Sequence, residues 1–199
     1  MKKAARQNYL SVYQSLHEQA VAFRGTDDRV LWDYVVESWR IEGIYLNVPD
    51  EPCSLLARFH LHWLSRPDNL SVDTLSIAAL RFAGARGKLR SRKGMDVVIR
   101  KAGEVLYRPP PGGRRIRKAL AKLCQELQAD PTAYTPFEVY LMFETLHPFM
   151  DGNGRTGRLL WAWSMLHHGE QFWQRGFLAN FHYQSLSHNE QVFQAAIPS

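Results

Sequence analysis

Residues 147–158 have the sequence HPFMDGNGRTGR. Apolar residues recur at helical spacing before this stretch, up to Leu146, and again after it, from Leu159. Pro148 cannot continue a helix, and glycines such as those of 152–154 commonly mark the loop between two helices. The sequence therefore predicts two helices joined by a glycine-rich loop, with the second helix beginning inside the loop.

The rest of the chain indicates a mainly α fold, a compact helical domain with a short β-hairpin flap. A capping box at Thr135 and Glu138, with Pro136 at the first helical position, predicts the start of the helix that ends near Leu146. Short β-branched or apolar runs separated by a glycine-containing loop predict a hairpin over 95–107. Helical spacing also predicts helices within 9–23, 30–38, 55–64, 71–82 and 116–127.

The length of 199 residues and the hydrophobic content of 45% are consistent with one structural unit that has a sizeable core. Within it we distinguish N-terminal helices over 1–69 and a core domain over 70–199. Cys53 and Cys124 are too few for a disulfide scaffold or a zinc ribbon, and both are expected to be buried thiols. No apolar run approaches the ~20 residues of a membrane span, and no signal peptide is recognisable, so we expect a cytoplasmic protein without membrane contact.

Positive charge is concentrated in one segment. The chain carries 25 Lys and Arg against 19 Asp and Glu, a net charge of +6. Residues 81–118 alone contain 13 basic and 2 acidic residues, a net charge of +11, which leaves −5 for the remainder. Charge alone therefore leaves nucleic acid, an acidic protein or an anionic membrane as partners of this segment.

The loop at 147–158 combines the groups needed for transfer from a nucleoside triphosphate. Backbone amides at the start of a helix bind anions, and Arg155 and Arg158 lie three residues apart, where both can reach phosphate oxygens. Asp151 would repel phosphate unless a cation such as Mg²⁺ lay between them. The ordinary pKa of His147 suits a general base at neutral pH.

The same segment resembles the signature of the Fic (Fic/Doc) family. That signature is His-Pro-Phe, any residue, Asp or Glu, Gly-Asn-Gly-Arg, two residues, Arg, and all nine specified positions match. The resemblance extends over about 70–186. It implies a protein adenylyltransferase, which moves AMP from ATP, with Mg²⁺, to a Ser, Thr or Tyr hydroxyl of a target protein or of the chain itself.

The resemblance also implies a role for each residue of the motif. His147 would deprotonate the target hydroxyl, Asp151 would hold Mg²⁺, and Phe149 would be a buried anchor of the nucleotide-binding loop. Tyr183, downstream, would line the adenine site. Arg155 and Arg158 would bind the β- and γ-phosphates. The anion hole would be formed by the amides of Gly152, Asn153 and Gly154 together with the Asn153 side chain.

A second motif lies upstream, at residues 38–43, with the sequence SWRIEG. It fits the inhibitory pattern of the same family, in which a Ser or Thr is followed four residues later by Glu and then by Gly or Asn. Ser38 and Glu42 are expected on one helix face, with Gly43 after them. The resemblance implies that Glu42 pairs with Arg158 and keeps the enzyme inactive by default, and it leaves open whether Glu42 also supports AMP removal.

Alternative functions remain open at this stage. The same fold could use another donor, such as UTP, GTP or a phosphocholine carrier, because contacts to the base are not readable from the sequence. A catalytically idle binding module, or a nucleic-acid binder that uses residues 81–118, is a different class of function, and the intact motif argues against an idle module. The expected partner is a target protein docked on the flap near 95–107, and a homo-oligomer is left open.

Overall fold

The computed structural model of the protein describes residues 28–43, 70–101 and 103–169. The described residues fall into two units, one that includes 28–43 and one that includes 70–101 and 103–169. The first contains helix α1 (Asp28–Arg40). The second contains α2 (Val72–Ala83), a 3₁₀ turn (Gly84–Arg86), β1 (Ile99–Lys101), β2 (Glu104–Tyr107), α3 (Arg114–Ala129), α4 (Pro136–Leu146) and α5 (Asn153–His167).

The second unit is a helical assembly built around α5. Helix α5 packs against α4 and α2, and α3 packs against α2 and α4. Its large side chains, including Trp161 and Trp163, are buried, as helix packing requires. The two strands form a small antiparallel sheet. The predicted fold class, mainly helical with a β-hairpin, is confirmed.

Local sequence determines where the helices of this unit begin. Ser71 caps α2 through its bond from the Thr74 amide, and Thr135 and Glu138 form the predicted capping box of α4. Helix α4 ends at His147, before Pro148, and α5 begins at Asn153, within the predicted loop. These starts and ends agree with the sequence predictions because each depends on residues within a few positions of the boundary.

The hairpin differs from its prediction in the first strand. We expected extended chain from Met95, but β1 begins only at Ile99. The preceding residues are bound elsewhere: the Asp96 carboxylate accepts a hydrogen bond from the Gly112 amide at 2.7 Å, and the Met95 carbonyl accepts one from Arg90 at 3.3 Å. These bonds take the place of strand pairing for the residues before Ile99, and β1 instead continues through Arg100 and Lys101, which were predicted to lie in the hairpin loop.

The first unit also corrects one expectation. Ser38 lies on α1 and is 2% exposed, but α1 ends at Arg40, so Glu42 does not share a regular helix face with it. The Glu42 amide bonds to the Trp39 carbonyl, three residues back, which tightens the final turn, and Gly43 follows with φ +73°. Glu42 is therefore an exposed residue of the turn that ends α1.

Several predictions concern residues outside the described ranges. The predicted helices within 9–23 and 55–64, Cys53 and Tyr183 are among them, and the domain boundary at 69/70 stays a prediction. Cys124, in α3, is a buried free thiol as expected, and burial raises its pKa to about 12. None of the helices in the described ranges has the length and apolar character needed to cross a bilayer.

Candidate active site

His147 lies at the junction between the end of α4 and the loop that leads into α5. It is the C-cap residue of α4 and has φ 46° and ψ 60°, a left-handed conformation. Among the described residues, it is the only non-glycine residue with positive φ. Residues with a Cβ adopt this conformation rarely, and such outliers concentrate at functional sites. The conformation turns the chain sharply and places Pro148 outside the helix.

The buried side chain of Arg90 holds this unusual turn in place. Its Nε donates to the His147 carbonyl at 2.7 Å, and Nη2 donates to the Leu146 carbonyl at 3.0 Å. Its Nη1 donates to the carbonyls of Pro110 at 2.9 Å and Met95 at 3.3 Å. Burial lowers the pKa of Arg90, and the nearby Asp96 and Tyr107 oppose that shift. One side chain therefore binds the end of α4 to the segments on both sides of the hairpin.

A second set of bonds fixes the middle of the loop. Asn153 accepts a hydrogen bond from the Phe149 amide and donates one to the Phe149 carbonyl, both at 2.8 Å. The Phe149 ring is fully buried, with its centroid 6.2 Å from that of Phe143. Phe149 also forms an isolated antiparallel bridge with Leu89. The burial expected of Phe149 is observed, and the Asn153 side chain is engaged with the loop's own backbone.

Asp151 lies near the start of α5, between two guanidinium groups. Its Oδ1 accepts a hydrogen bond from the Gly152 amide at 2.7 Å and is 3.7 Å from Arg155 Nη2. Its Oδ2 is 3.2 Å from Nε of Arg86, a side chain that is 80% exposed. The carboxylate thus has compensating charge on both sides while remaining about one-third exposed. Arg86 is a neighbour that the motif did not predict.

The two arginines of the motif project from the first turns of α5 and are buried. Arg158 is 0% exposed and Arg155 is 4% exposed. Nη1 of Arg155 donates to the Phe82 carbonyl at 2.5 Å, which binds α5 to the end of α2. The first amides of a helix lack partners within the helix and its N-terminus attracts anions, so two cations and this end of α5 form a local positive field.

The carboxylate of Glu144 lies beside the His147 ring. Glu144 is 1% exposed, and its Oε2 is 3.5 Å from His147 Nδ1. Because the two residues are three apart at the end of α4, they lie on the same side of the helix. The other carboxylate of α4, Glu138, is not buried and belongs to the capping box at the start of the helix. The motif gave no indication of this pair.

The donor set fits Mg²⁺ that is held jointly with a nucleotide. The described ranges contain no group of three or more His, Cys, Asp or Glu side chains able to hold a metal ion by themselves. Mg²⁺ in nucleotide sites is commonly bound through one or two carboxylates together with substrate phosphates and water. The single, partly exposed carboxylate of Asp151, at the end of α5, suits that arrangement.

The structure brings together most of the residues that the sequence predicted. Residues 147–158 form one continuous site at the junction of α4 and α5, whereas Ser38, Glu42 and Gly43 belong to the other unit and Tyr183 lies outside the described ranges. Arg86, Arg90 and Glu144 were not predicted. A signal existed for Glu144, whose spacing from His147 is that of neighbours on a helix, but none existed for Arg90, which is 57 residues from His147.

Comparison with protein families agrees with this geometry. The match to the model of the Fic/DOC family covers residues 68–165, which contain the hairpin, helices α2 to α4, the whole loop and most of α5. Proteins with this domain are generally transferases that modify other proteins. Residues 68–165 of the chain are therefore a Fic/DOC family domain.

Proposed function

We propose that the protein is an adenylyltransferase that moves AMP from Mg-ATP to a Ser, Thr or Tyr hydroxyl of a protein. One observation carries the proposal: His147 begins the loop that leads into the positive end of α5, where Arg155, Arg158 and Asp151 lie. A base, an anion site and a carboxylate for Mg²⁺ thus occur within a single loop and helix start. These are the groups that nucleotidyl transfer to a hydroxyl requires.

In the proposed reaction, His147 takes the proton of the target hydroxyl. The hydroxyl oxygen attacks the α-phosphorus of ATP, a new P–O bond forms, and the bond to the bridging oxygen breaks so that pyrophosphate leaves with its electron pair. The first amides of α5 and the two arginines stabilise the negative charge on the phosphates. Asp151 would hold Mg²⁺, which supplies further neutralisation of that charge.

The hairpin and the basic segment give this activity a proposed docking surface. An edge strand such as β1 or β2 can receive an extended peptide through backbone hydrogen bonds. Of the 12 basic residues of 81–118 whose burial is described, 11 are exposed and only Arg90 is buried. Exposed positive charge beside an edge strand favours a target with an acidic surface.

The proposal includes restraint of the activity by Glu42. Glu42 is an exposed carboxylate in the turn that ends α1, and in the proposal it pairs with Arg158 and so opposes productive placement of the nucleotide phosphates. Its substitution is therefore expected to raise transfer. AMP removal that uses Glu42 is a further part of the proposal, and it predicts that prelabelled protein loses AMP more slowly in the Glu42→Gly chain.

Incubation with Mg²⁺ and ATP labelled at the α-phosphate tests the proposal. We expect weak self-labelling by the wild-type chain, at least 10-fold more by Glu42→Gly, and loss of more than 100-fold on adding His147→Ala, the scale of a general base. ATP labelled at the γ-phosphate should give no signal, because pyrophosphate leaves. His168→Ala and Glu37→Ala are the matched controls, and neither should change labelling.

The same assay identifies the donor and can reject the mechanism. Unlabelled ATP should compete with the labelled ATP more strongly than UTP or GTP does. If another nucleotide competes more strongly than ATP, that nucleotide is the donor. Undiminished labelling by the His147→Ala chain would contradict the role of His147. Salt-sensitive retention on DNA, with no transfer by any of these chains, would favour the nucleic-acid-binding alternative.

A further inference from the structure

We propose that Glu144 is the positioning residue of His147, which orients the imidazole ring through Nδ1 and leaves Nε2 to accept the target's proton. The inference rests on the proposed function for the role of the ring, but not for the geometry of the pair. It adds Glu144, a residue of α4, to a site whose other groups lie within residues 147–158.

The His147 ring nitrogen that faces Glu144 has no competing partner among the described residues. Among the described residues, neither His147 Nδ1 nor Glu144 Oε1 has a hydrogen-bond partner, and both atoms are buried. The nearest facing atoms, Nδ1 and Glu144 Oε2, are 3.5 Å apart. A small rotation of either side chain closes that distance to a hydrogen bond, and catalytic hydrogen bonds are often long before the substrate binds. A buried ring nitrogen that needs a partner thus faces one oxygen of a buried carboxylate.

The packing between α4 and α5 leaves space for the Glu144 carboxylate. A Cβ placed on Gly157 of α5 would lie 2.5 Å from Glu144 Oε1, 3.1 Å from the Phe143 ring and 3.2 Å from the Tyr140 ring. Gly157 therefore provides the space that the carboxylate occupies between α4 and α5. On the other side, Arg90 fixes the His147 backbone through its carbonyl. The His147 backbone and the Glu144 carboxylate are thus both held in place. The His147 ring can then give Nδ1 a hydrogen-bond partner by turning it toward Glu144.

The chemical consequence concerns the tautomer of the ring. A carboxylate that accepts from Nδ1–H keeps the proton on Nδ1 and the lone pair on Nε2, where a base needs it. When Nε2 then takes the hydroxyl proton, the ring becomes a cation that the adjacent Glu144 stabilises. No proton needs to pass to Glu144 in this step.

The test combines ring nitrogen chemical shifts with steady-state kinetics. Long-range ¹H–¹⁵N spectra of the full chain at pH 8, assigned by comparison with His147→Ala, report the protonation of each nitrogen directly. We expect a protonated Nδ1 and an unprotonated Nε2 in the wild type. In Glu144→Ala both nitrogens should shift to averaged values, whereas Glu144→Gln, which keeps an acceptor oxygen, should retain the wild-type pattern in part.

Kinetics are measured in the Glu42→Gly background with α-labelled ATP. Glu144→Ala should lower kcat about 10- to 100-fold, the usual effect of losing an orienting partner, with KM for ATP changed less than twofold. The kcat of Glu144→Gln should lie between that of Glu144→Ala and that of the Glu42→Gly parent chain. Glu126→Gln, on the surface of α3, is the matched control, and circular dichroism checks that every variant is folded.

Two results would overturn the proposal: unchanged ring nitrogen shifts in Glu144→Ala, or a wild-type kcat in that variant. If no chain transfers AMP, including Glu42→Gly alone, the proposed function fails while the nitrogen shifts still decide the geometry of the pair. The two failures are thus distinguishable.

Discussion

The loop of the candidate site (147–153) and the hairpin (99–107) are held by very different means. Two side chains bind the backbone of the loop: Arg90, from a distant segment, at its first residue, and Asn153, at the end of the loop itself, at its centre. The hairpin has strands of three and four residues, an irregular register between Ile99 and Arg100, and an exposed Val105. Buried polar bonds thus fix the backbone of the loop, whereas strand pairing is the main support of the hairpin before Tyr107, its buried last residue.

This difference corresponds to the two tasks proposed for the domain. Transfer to the α-phosphorus requires reacting atoms placed to within a fraction of an ångström, which a loop held by buried hydrogen bonds provides. Docking of a peptide on an edge strand uses backbone groups and adapts its side chains to the partner. We therefore expect substitutions in the loop to alter stability and turnover, and substitutions on the exposed hairpin to alter target choice alone.

Removal of the Arg90 side chain is expected to have the largest effect. Arg90→Met keeps most of the apolar stem but leaves four backbone carbonyls without their donor, two of them at the end of α4. Unsatisfied buried groups cost about 1–3 kcal/mol each, so the free energy of unfolding should fall by at least about 3 kcal/mol. Urea unfolding followed by circular dichroism measures the change.

Arg100→Met is the matched control on the hairpin. Arg100 is exposed and donates only to the Gly103 carbonyl of its own turn, at 3.0 Å. Surface substitutions of this kind change stability by less than about 0.5 kcal/mol. Equal losses of unfolding free energy in Arg90→Met and Arg100→Met would contradict the distinction between the regions, because the loop would then be no better anchored than the hairpin.

Sequence reasoning predicted the parts of this comparison that depend on neighbouring residues. The helix starts at Ser71 and Thr135 follow from capping residues, and the end of α4 follows from Pro148. Bonds between residues far apart in the chain leave no such local pattern. The contact from Arg90 to Leu146 spans 56 residues, and the bond from Gly112 to Asp96 that delays the first strand spans 16.

The same distinction applies to the functional residues. Residues 147–158 were predictable because a base, a carboxylate, glycines and two arginines lie within twelve positions and act together at one helix start. Glu144 was recognisable only once the helix was known to end at His147, since the left-handed turn there brings the ring beside the carboxylate. The regular helix expected through Glu42 failed for a local reason, the glycine at position 43.

Substitution of Asn153 tests the centre of the loop and should have an intermediate effect. Asn153→Ala removes the partner of both the amide and the carbonyl of Phe149, which are buried, and should lower the free energy of unfolding by about 2 kcal/mol. Asn153→Asp keeps an acceptor for the amide but turns a carboxylate oxygen toward the carbonyl. It should therefore not restore stability, and full restoration by Asp would show that only the amide bond matters. Urea unfolding of the three chains measures the difference.

A smaller loss than at Arg90 or Asn153 is expected at Tyr107, where the two regions meet. Tyr107 is the last residue of β2, is 4% exposed, and donates its hydroxyl hydrogen to the Thr145 carbonyl of α4 at 3.1 Å. Tyr107→Phe removes that bond and should cost about 1 kcal/mol at pH 7. A substitution at this end of the hairpin should thus destabilise the domain, unlike Arg100→Met in the same hairpin.

The pH dependence of that difference gives a more specific measurement. Burial raises the pKa of Tyr107 to about 12, although the charge of Arg90 partly opposes the shift. An unfolded tyrosine has a pKa of about 10, so above that pH the unfolded chain releases a proton that the folded chain retains. The stability contributed by Tyr107 is therefore complete below pH 10 and declines as the pH rises toward 12. The advantage of the wild type over Tyr107→Phe in urea unfolding should shrink across this interval, and a constant difference would mean that the hydroxyl is not buried against α4.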